Sequence, residues 1–285
     1  VISGWILDPD RKKMSKSKGN VVTPMDVLEQ HGSDPVRYWA ASGRPGTDLA
    51  YDENQLKIGR RLAVKLLNAS RFALGLQGAP ALRALATGAP ATAALDRSML
   101  ATLSAVVRRA TAAFDTYDHT GALQATEAFF WTFCDDYIEL VKERAYGSGH
   151  ASESARGALA TALAALLRLF APFLPYATEE VWSWWRYGSV HRAPWPTPYE
   201  LDRAAGGGDP AVLRVTSEAL RQVRRAKSER RLSMRTDVPL AEVLGPAAEL
   251  ELLAAAEADL RAAGRIGKLD LLPDRTPELV VACAF

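Results

Sequence analysis

At 285 residues the chain is long enough for two or three domains, each able to bury a core of its own. Its 48% hydrophobic and 24% charged residues are an ordinary globular balance, and no run of about eighteen apolar residues occurs, so no membrane-spanning helix is expected. The formal charge of +2, from 35 Lys and Arg against 33 Asp and Glu, is too small to announce a polyanionic partner, and the placement of charge must decide that question.

The opening Val1-Ile2-Ser3-Gly4-Trp5 lacks the basic, apolar, small-residue order of a secretory signal. Without an initiating Met the sequence reads as a portion of a longer protein, and a cytoplasmic location is expected. Cys134 and Cys283 lie far apart and match no metal spacing, so both are expected as free thiols in a reducing compartment. The scattered His31, His119, His150 and His191 offer no zinc site, and no metal is expected.

Residues 1–7 predict a short apolar strand, turned by Asp8-Pro9-Asp10 into a basic, Ser-rich loop over 11–19. Thr23 and Pro24 are expected to cap and open a helix that Gly32 ends, and Asp34-Pro35 to open the next. Asp52 is expected to cap a long helix whose Leu62, Leu66, Ala69 and Ala73 share an apolar stripe. Residues 77–90, rich in Gly, Ala and Pro, read as a connector. Helical runs follow over 91–117, 120–146 and 152–170, with Gly147-Ser148-Gly149 as a break.

Pro172 and Pro175 interrupt the chain before a short helix over 176–185. Residues 188–198 then read as a loop and Gly206-Gly207-Gly208 as a flexible joint. Asp209-Pro210 opens a helix to about residue 230. The tail predicts strands at 238–243, 269–272 and 279–284 around a helix over 246–263. The fold class expected is mainly α, with a helical bundle of up-down rhythm and a small α/β domain at its end.

Chemistry concentrates in the first loop. Lys12, Lys13, Lys16 and Lys18 alternate with Ser15 and Ser17, and compact ammonium groups with hydroxyl donors suit phosphate oxygens. The spaced glycines of a Walker loop are missing. The string Lys13-Met14-Ser15-Lys16-Ser17, followed by Gly19-Asn20 and Thr23-Pro24, resembles the signature loop of class I aminoacyl-tRNA synthetases. That resemblance implies ATP binding by Lys13, Met14, Ser15, Lys16 and Ser17. Lys16 and then Lys13 would act catalytically, offsetting charge on the phosphates while an amino-acid carboxylate attacks. Lys18 stands where the family often has Leu.

Further strings resemble the valyl subgroup, ahead of the isoleucyl and well ahead of the leucyl and methionyl. They are Gly43-Arg44-Pro45-Gly46-Thr47-Asp48, Asn68-Ala69-Ser70-Arg71-Phe72, residues 133–139, Ala171-Pro172-Phe173-Leu174-Pro175 and residues 191–196. The resemblance implies that residues 1–50 end a class I catalytic domain and contact the tRNA stem. Residues 51–201 would form an anticodon-binding helical bundle, and 202–285 the small α/β domain. The whole protein would activate valine with ATP and Mg²⁺ and load it onto tRNA(Val), as a monomer. This portion alone would be inactive, because no histidine lies in a His-x-Gly-His setting. A stand-alone RNA-binding module is the competing reading.

Two basic stripes are candidates for tRNA. Lys57, Arg61, Lys65 and Asn68 recur at helical spacing, flanked by Arg60 and Arg71. Arg214, Arg221 and Arg225 form the second, on the helix after the glycines, with Arg224, Lys227, Arg230 and Arg231 nearby. Phe129, Phe130, Trp131, Phe133 and Tyr137 are expected as core, and Asp135, Asp136 and Glu139 as partners of Lys142 and Arg144.

Overall fold

The computed structural model describes residues 4–76, 90–276 and 278–285. The chain forms two compact units, one of Val1–Ala84, Val106–Ala128 and Leu163–Thr197, the other of Leu85–Ala105, Phe129–Ala162 and Pro198–Phe285.

The first unit opens on a two-residue strand, β1 (Ile6–Leu7), parallel to β2 (Leu49–Ala50). The Trp5 N–H donates to Asp48 Oδ1 at 2.8 Å and the Leu49 N–H to the Trp5 carbonyl at 2.9 Å. A Cβ on Gly4 would stand 1.9 Å from the Thr47 carbonyl oxygen, so only glycine allows this approach. The helix Pro24–His31 carries Pro in its first turn, but Thr23 caps no backbone N–H. Its hydroxyl bonds Asp26 at 2.5 Å instead. Gly32, at φ 84°, reverses the chain into the helix Ser33–Ala41.

Asp34 therefore lies inside a helix that begins a residue earlier than expected, and it caps a different one. Its carboxylate accepts the N–H groups of Tyr176 at 3.1 Å and Ala177 at 2.7 Å, at the start of the helix Pro175–Ser183. Those donors have no partner within their own helix.

Asp52 does cap the helix Glu53–Gly75, accepting the Asn54 N–H at 2.8 Å. Leu62, Leu66, Ala69 and Ala73 are buried as one stripe. Gly59 lets Tyr38 lie against the helix, since a Cβ there would fall 2.8 Å from the Tyr38 Cβ. The expected connector lies outside the described residues over 77–89. In the same unit Phe114 stacks on Phe173 at 5.9 Å and meets Trp195 edge-on at 5.4 Å. The proline-aromatic strings are thus packing elements.

The expected 120–146 helix is the run His119–Thr132, Phe133–Tyr137 and Ile138–Tyr146, whose middle five residues make a π turn. In the second unit Phe129, Phe130, Phe133 and Tyr137 are buried as expected, whereas Trp131 is half-buried. The Tyr137 hydroxyl donates to Asp96 Oδ1 at 2.8 Å. A helix Pro198–Ala205 follows the expected loop, over residues that carried no expectation of their own. The three glycines after it make a packed turn, not a loose joint. Arg97 bonds the carbonyls of Ala205 and Gly206, and a Cβ on Gly208 would fall 2.4 Å from the Arg97 carbonyl carbon.

Asp209 caps the helix Pro210–Glu229, accepting the Ala211 N–H at 2.8 Å. The buried Val212, Val215, Ala219 and Val223 give it an apolar face, packed on the strand Val280–Ala284 and on two short helices. The sheet has the order β4 (Ile266–Pro273), β3 (Val238–Gly245), β5 (Val280–Ala284), with β3 parallel to β4 and antiparallel to β5. Between β3 and β4 the single expected helix is two, Ala247–Ala254 and Glu257–Gly264.

Candidate functional site

The Lys/Ser loop is more ordered than an irregular segment. Lys13 bridges back to Leu7 in antiparallel fashion, and Lys16–Lys18 form a single 3₁₀ turn that Gly19 closes at φ 66°. Asn20 braces the loop from inside. It accepts the Ser15 N–H at 2.9 Å and donates to Asp8 Oδ2 at 2.7 Å and to the Lys13 carbonyl at 3.3 Å. Asp8 also accepts the Lys12 N–H at 2.7 Å. That backbone bond, followed by the bond from Asn20, holds the Asp8 carboxyl below its usual range. Asp8 and Asn20 were not singled out for this role, although Asn20 closes the very string that carries the resemblance.

The brace leaves the cations outside. The Lys13 ammonium lies 4.3 Å from the centroid of the Trp5 ring, a cation–π contact. Lys12 pairs with Asp10 at 3.6 Å, both exposed. Lys16 and Lys18 are exposed, and among the described residues neither has a carboxylate partner. The hydroxyls of Ser15 and Ser17 bond each other at 2.6 Å. The loop thus offers two uncommitted ammonium groups on a fixed backbone turn, an arrangement suited to phosphate oxygens. Met14 is half-buried. Among the described residues no three His, Cys, Asp or Glu side chains cluster into a metal cage.

The helix Glu53–Gly75 presents Lys57, Arg60, Arg61 and Arg71 as exposed and Lys65 as half-buried, opposite the buried leucines. Lys57 pairs with Glu53 at 3.6 Å on the surface, a contact worth little. Arg71 lies 5.9 Å from the Trp184 ring centroid. Arg61 and Asp48 are among the groups lining a cavity of about 610 Å³, together with Arg11, Tyr38 and Glu127. The Tyr38 hydroxyl donates to Glu127 at 2.8 Å, and burial, then that bond, raises its pKa far above the usual value.

The second stripe is drawn into internal contacts. Arg214 pairs with Glu249 at 2.8 Å and Arg225 with Glu229 at 2.9 Å. Arg221 reaches both Asp136 at 3.2 Å and Glu218 at 3.1 Å, and Arg224 donates to the Asp135 carbonyl at 2.7 Å. Burial raises the Asp136 pKa, against the pull of Arg221 and Arg224. Glu139 does pair with Lys142, at 3.7 Å. Arg144 departs from expectation, because its guanidinium bonds Asp96 and Asp259 rather than its helical neighbours. No spacing rule links residues so far apart in the chain.

Residues 96–243 match the anticodon-binding domain of tRNA ligases, and residues 1–52 match class I tRNA synthetases of the I, L, M and V group. A valine–tRNA ligase of Thermobifida fusca is 62% identical over 269 residues, covering 94% of this chain and 30% of that protein. The one from Salinispora tropica is 54% identical over 293 residues, covering 97% of this chain and 34% of that protein. The chain therefore spans about a third of the length of the curated relatives it matches. A LeuRS of Agrobacterium radiobacter, solved as a ternary complex with tRNA and LeuAMS, shares the fold at a TM-score of 0.57. It is 23% identical, over 71% of this chain and 25% of that one. The chain belongs to the family that carries the anticodon-binding domain of tRNA ligases.

Proposed function

We propose that the chain is the C-terminal part of a valine–tRNA ligase, supplying a lid over ATP and a surface that holds tRNA(Val). The observation that carries this reading is the Lys13-Met14-Ser15-Lys16-Ser17 loop, braced by Asn20 and leaving Lys16 exposed with no carboxylate partner among the described residues. Identity of 54–62% to valine–tRNA ligases supports the choice of amino acid.

In this reading the whole enzyme binds ATP and valine, with Met14, Ser15 and Ser17 lining the nucleotide. Lys16 and Lys13 stabilise negative charge on the phosphates as the valine carboxylate displaces pyrophosphate. Mg²⁺ would arrive on the nucleotide and offset phosphate charge, since the described residues offer no cage for it. Residues 1–50 would end the catalytic domain, 51–201 form the anticodon-binding part and 202–285 the C-terminal domain of a cytoplasmic monomer. Lys57, Arg60, Arg61, Lys65 and Arg71 are the proposed phosphate contacts of the first unit. Arg221 and Arg225 would join them only by leaving their internal partners.

The test is to titrate the chain with valine and isoleucine tRNA transcripts at two salt concentrations. Tighter binding of the valine tRNA at both is expected. Equal, weak binding that vanishes with salt would remove the anticodon-reading role. Reversing charge in Lys57→Glu with Arg61→Glu should weaken binding without unfolding the chain.

A further inference from the structure

The helix Pro210–Glu229 ends in a turn where Arg230 is held internally, donating to the Cys283 carbonyl at 3.3 Å and lying 4.6 Å from the Phe285 ring centroid, whereas Arg231 and Arg235 are not. The Leu232 N–H donates to the Lys227 carbonyl and the Arg231 N–H to the Ser228 carbonyl, both at 2.9 Å. This is the paired closure of a helix whose first residue beyond the cap is left-handed. That residue is Arg231, at φ 55°. Glycine adopts this conformation freely, whereas a side chain there meets the backbone carbonyl. The Arg231 side chain is exposed, and among the described residues neither it nor Arg235 has an acceptor for its guanidinium.

The turn is nevertheless fixed at its far end. Lys227 is only 1% exposed, and its ammonium donates to the Gly264 carbonyl at 2.9 Å and to the Met234 carbonyl at 3.2 Å. One acceptor ends the helix Glu257–Gly264 and the other lies in the turn, so a buried cation ties the two together. The Arg235 N–H donates to Ser233 Oγ at 3.2 Å and the Thr236 N–H to the Ser233 carbonyl at 3.0 Å. The nearest carboxylates along the chain are both occupied, Glu229 by Arg225 at 2.9 Å and Asp237 by Arg265 at 2.7 Å. Two uncommitted guanidinium groups therefore stand on a turn with a defined backbone, and their planar forks match phosphate oxygens.

We propose that the 230–237 turn is a phosphate-contacting element for RNA, presenting Arg231 and Arg235, with Lys227 as the residue that positions it. The inference rests on the tRNA-binding reading above and adds to it a contact outside both helical stripes.

Arg231→Gly separates the charge from the fold. Its melting temperature should rise, because glycine suits the left-handed site, while affinity for a valine tRNA transcript falls several-fold. Combined with Arg235→Gln, the loss should reach roughly tenfold, and the log–log salt slope should flatten by roughly 0.7–0.9 per arginine. Lys227→Met should weaken binding in the otherwise unchanged chain and add nothing in the Arg231→Gly, Arg235→Gln background. An additive loss there would overturn the positioning role. Unchanged affinity and slope in the arginine variants, with binding still weakened by Lys57→Glu and Arg61→Glu, would overturn this inference alone. Failure of the unsubstituted chain to bind RNA would overturn both readings.

Discussion

Replacing Arg144 by Met should destabilise the second unit by about 3–5 kcal/mol, the usual cost of breaking a buried ion pair from one side. The Arg144 side chain is 15% exposed and bonds two carboxylates at once, Asp96 at 0% and Asp259 at 10%. It makes two bonds of 2.8 Å to Asp96 and bonds of 2.8 and 3.0 Å to Asp259. At about 1.5–3 kcal/mol for each charged bond the simple sum exceeds that figure, so relief elsewhere must set the result. Asp96 keeps two donors, Tyr137 at 2.8 Å and Ser154 at 2.7 Å. Asp259 loses both of its bonds to Arg144 and can escape only by taking a proton. Its carboxyl is already raised by burial, against the bonds from Arg144 that lower it, and removing Arg144 leaves burial unopposed.

A carboxyl whose folded pKa lies above its unfolded one destabilises the fold at higher pH, and the penalty disappears as pH falls toward the ordinary carboxylate range. The deficit should therefore be largest near about pH 8 and shrink toward about pH 5. Urea unfolding followed by circular dichroism and tryptophan fluorescence measures it, and the melting temperature should drop by roughly 6–20 °C. Adding Asp259→Asn to Arg144→Met should recover part of the loss. A deficit under about 1 kcal/mol, or one that grows on acidification, would refute the reasoning.

Asn20→Ala removes the brace from Ser15, Asp8 and Lys13 together. Amide exchange at Ser15 should speed up by roughly tenfold or more while global stability changes little, because the loop is a locally opening surface segment. Since the Asp8 carboxyl is depressed, the Lys12 amide shift should stay constant through the ordinary carboxylate range and move only at more acid pH. Movement at or above that range would contradict the bonding described. Asp34→Ala leaves two N–H groups of the helix Pro175–Ser183 without acceptors and should cost about 1–2 kcal/mol in thermal unfolding, part of it restored by Asp34→Asn.

The elements with local causes were legible in the sequence. Asp52 and Asp209 announced their helices because an Asp before a helical run bonds its first free N–H groups wherever the run packs. The stripe from Leu62 to Ala73 followed from spacing alone. What escaped depends on partners distant in sequence. Asp34 was expected only to open its own helix, and the approach of Tyr176 and Ala177 makes it the cap of another. The π turn Phe133–Tyr137 contains no Gly or Pro to mark it, and it lies where the Tyr137 hydroxyl reaches Asp96. The loop lysines were legible as a string, but the hairpin that exposes them needed Asp8 and Asn20 to be seen together.

The same distinction explains why a net charge of +2 says so little about this chain. Helical spacing made the arginines from Arg214 to Arg225 look like a phosphate-binding face, yet Glu249, Asp136, Glu218 and Glu229 occupy them. Each such pair cancels in the total and in the field that a polyanion would meet at a distance. Lys16, Lys18, Arg231 and Arg235 count no more in the total, but among the described residues none of them has a carboxylate at ion-pair distance. A phosphate approaching them displaces only water and counterions, whereas one approaching Arg221 must also break two existing ion pairs. Spacing along a helix ranks candidate cations only until their acceptors are known, and here the acceptors reverse the order in the second unit.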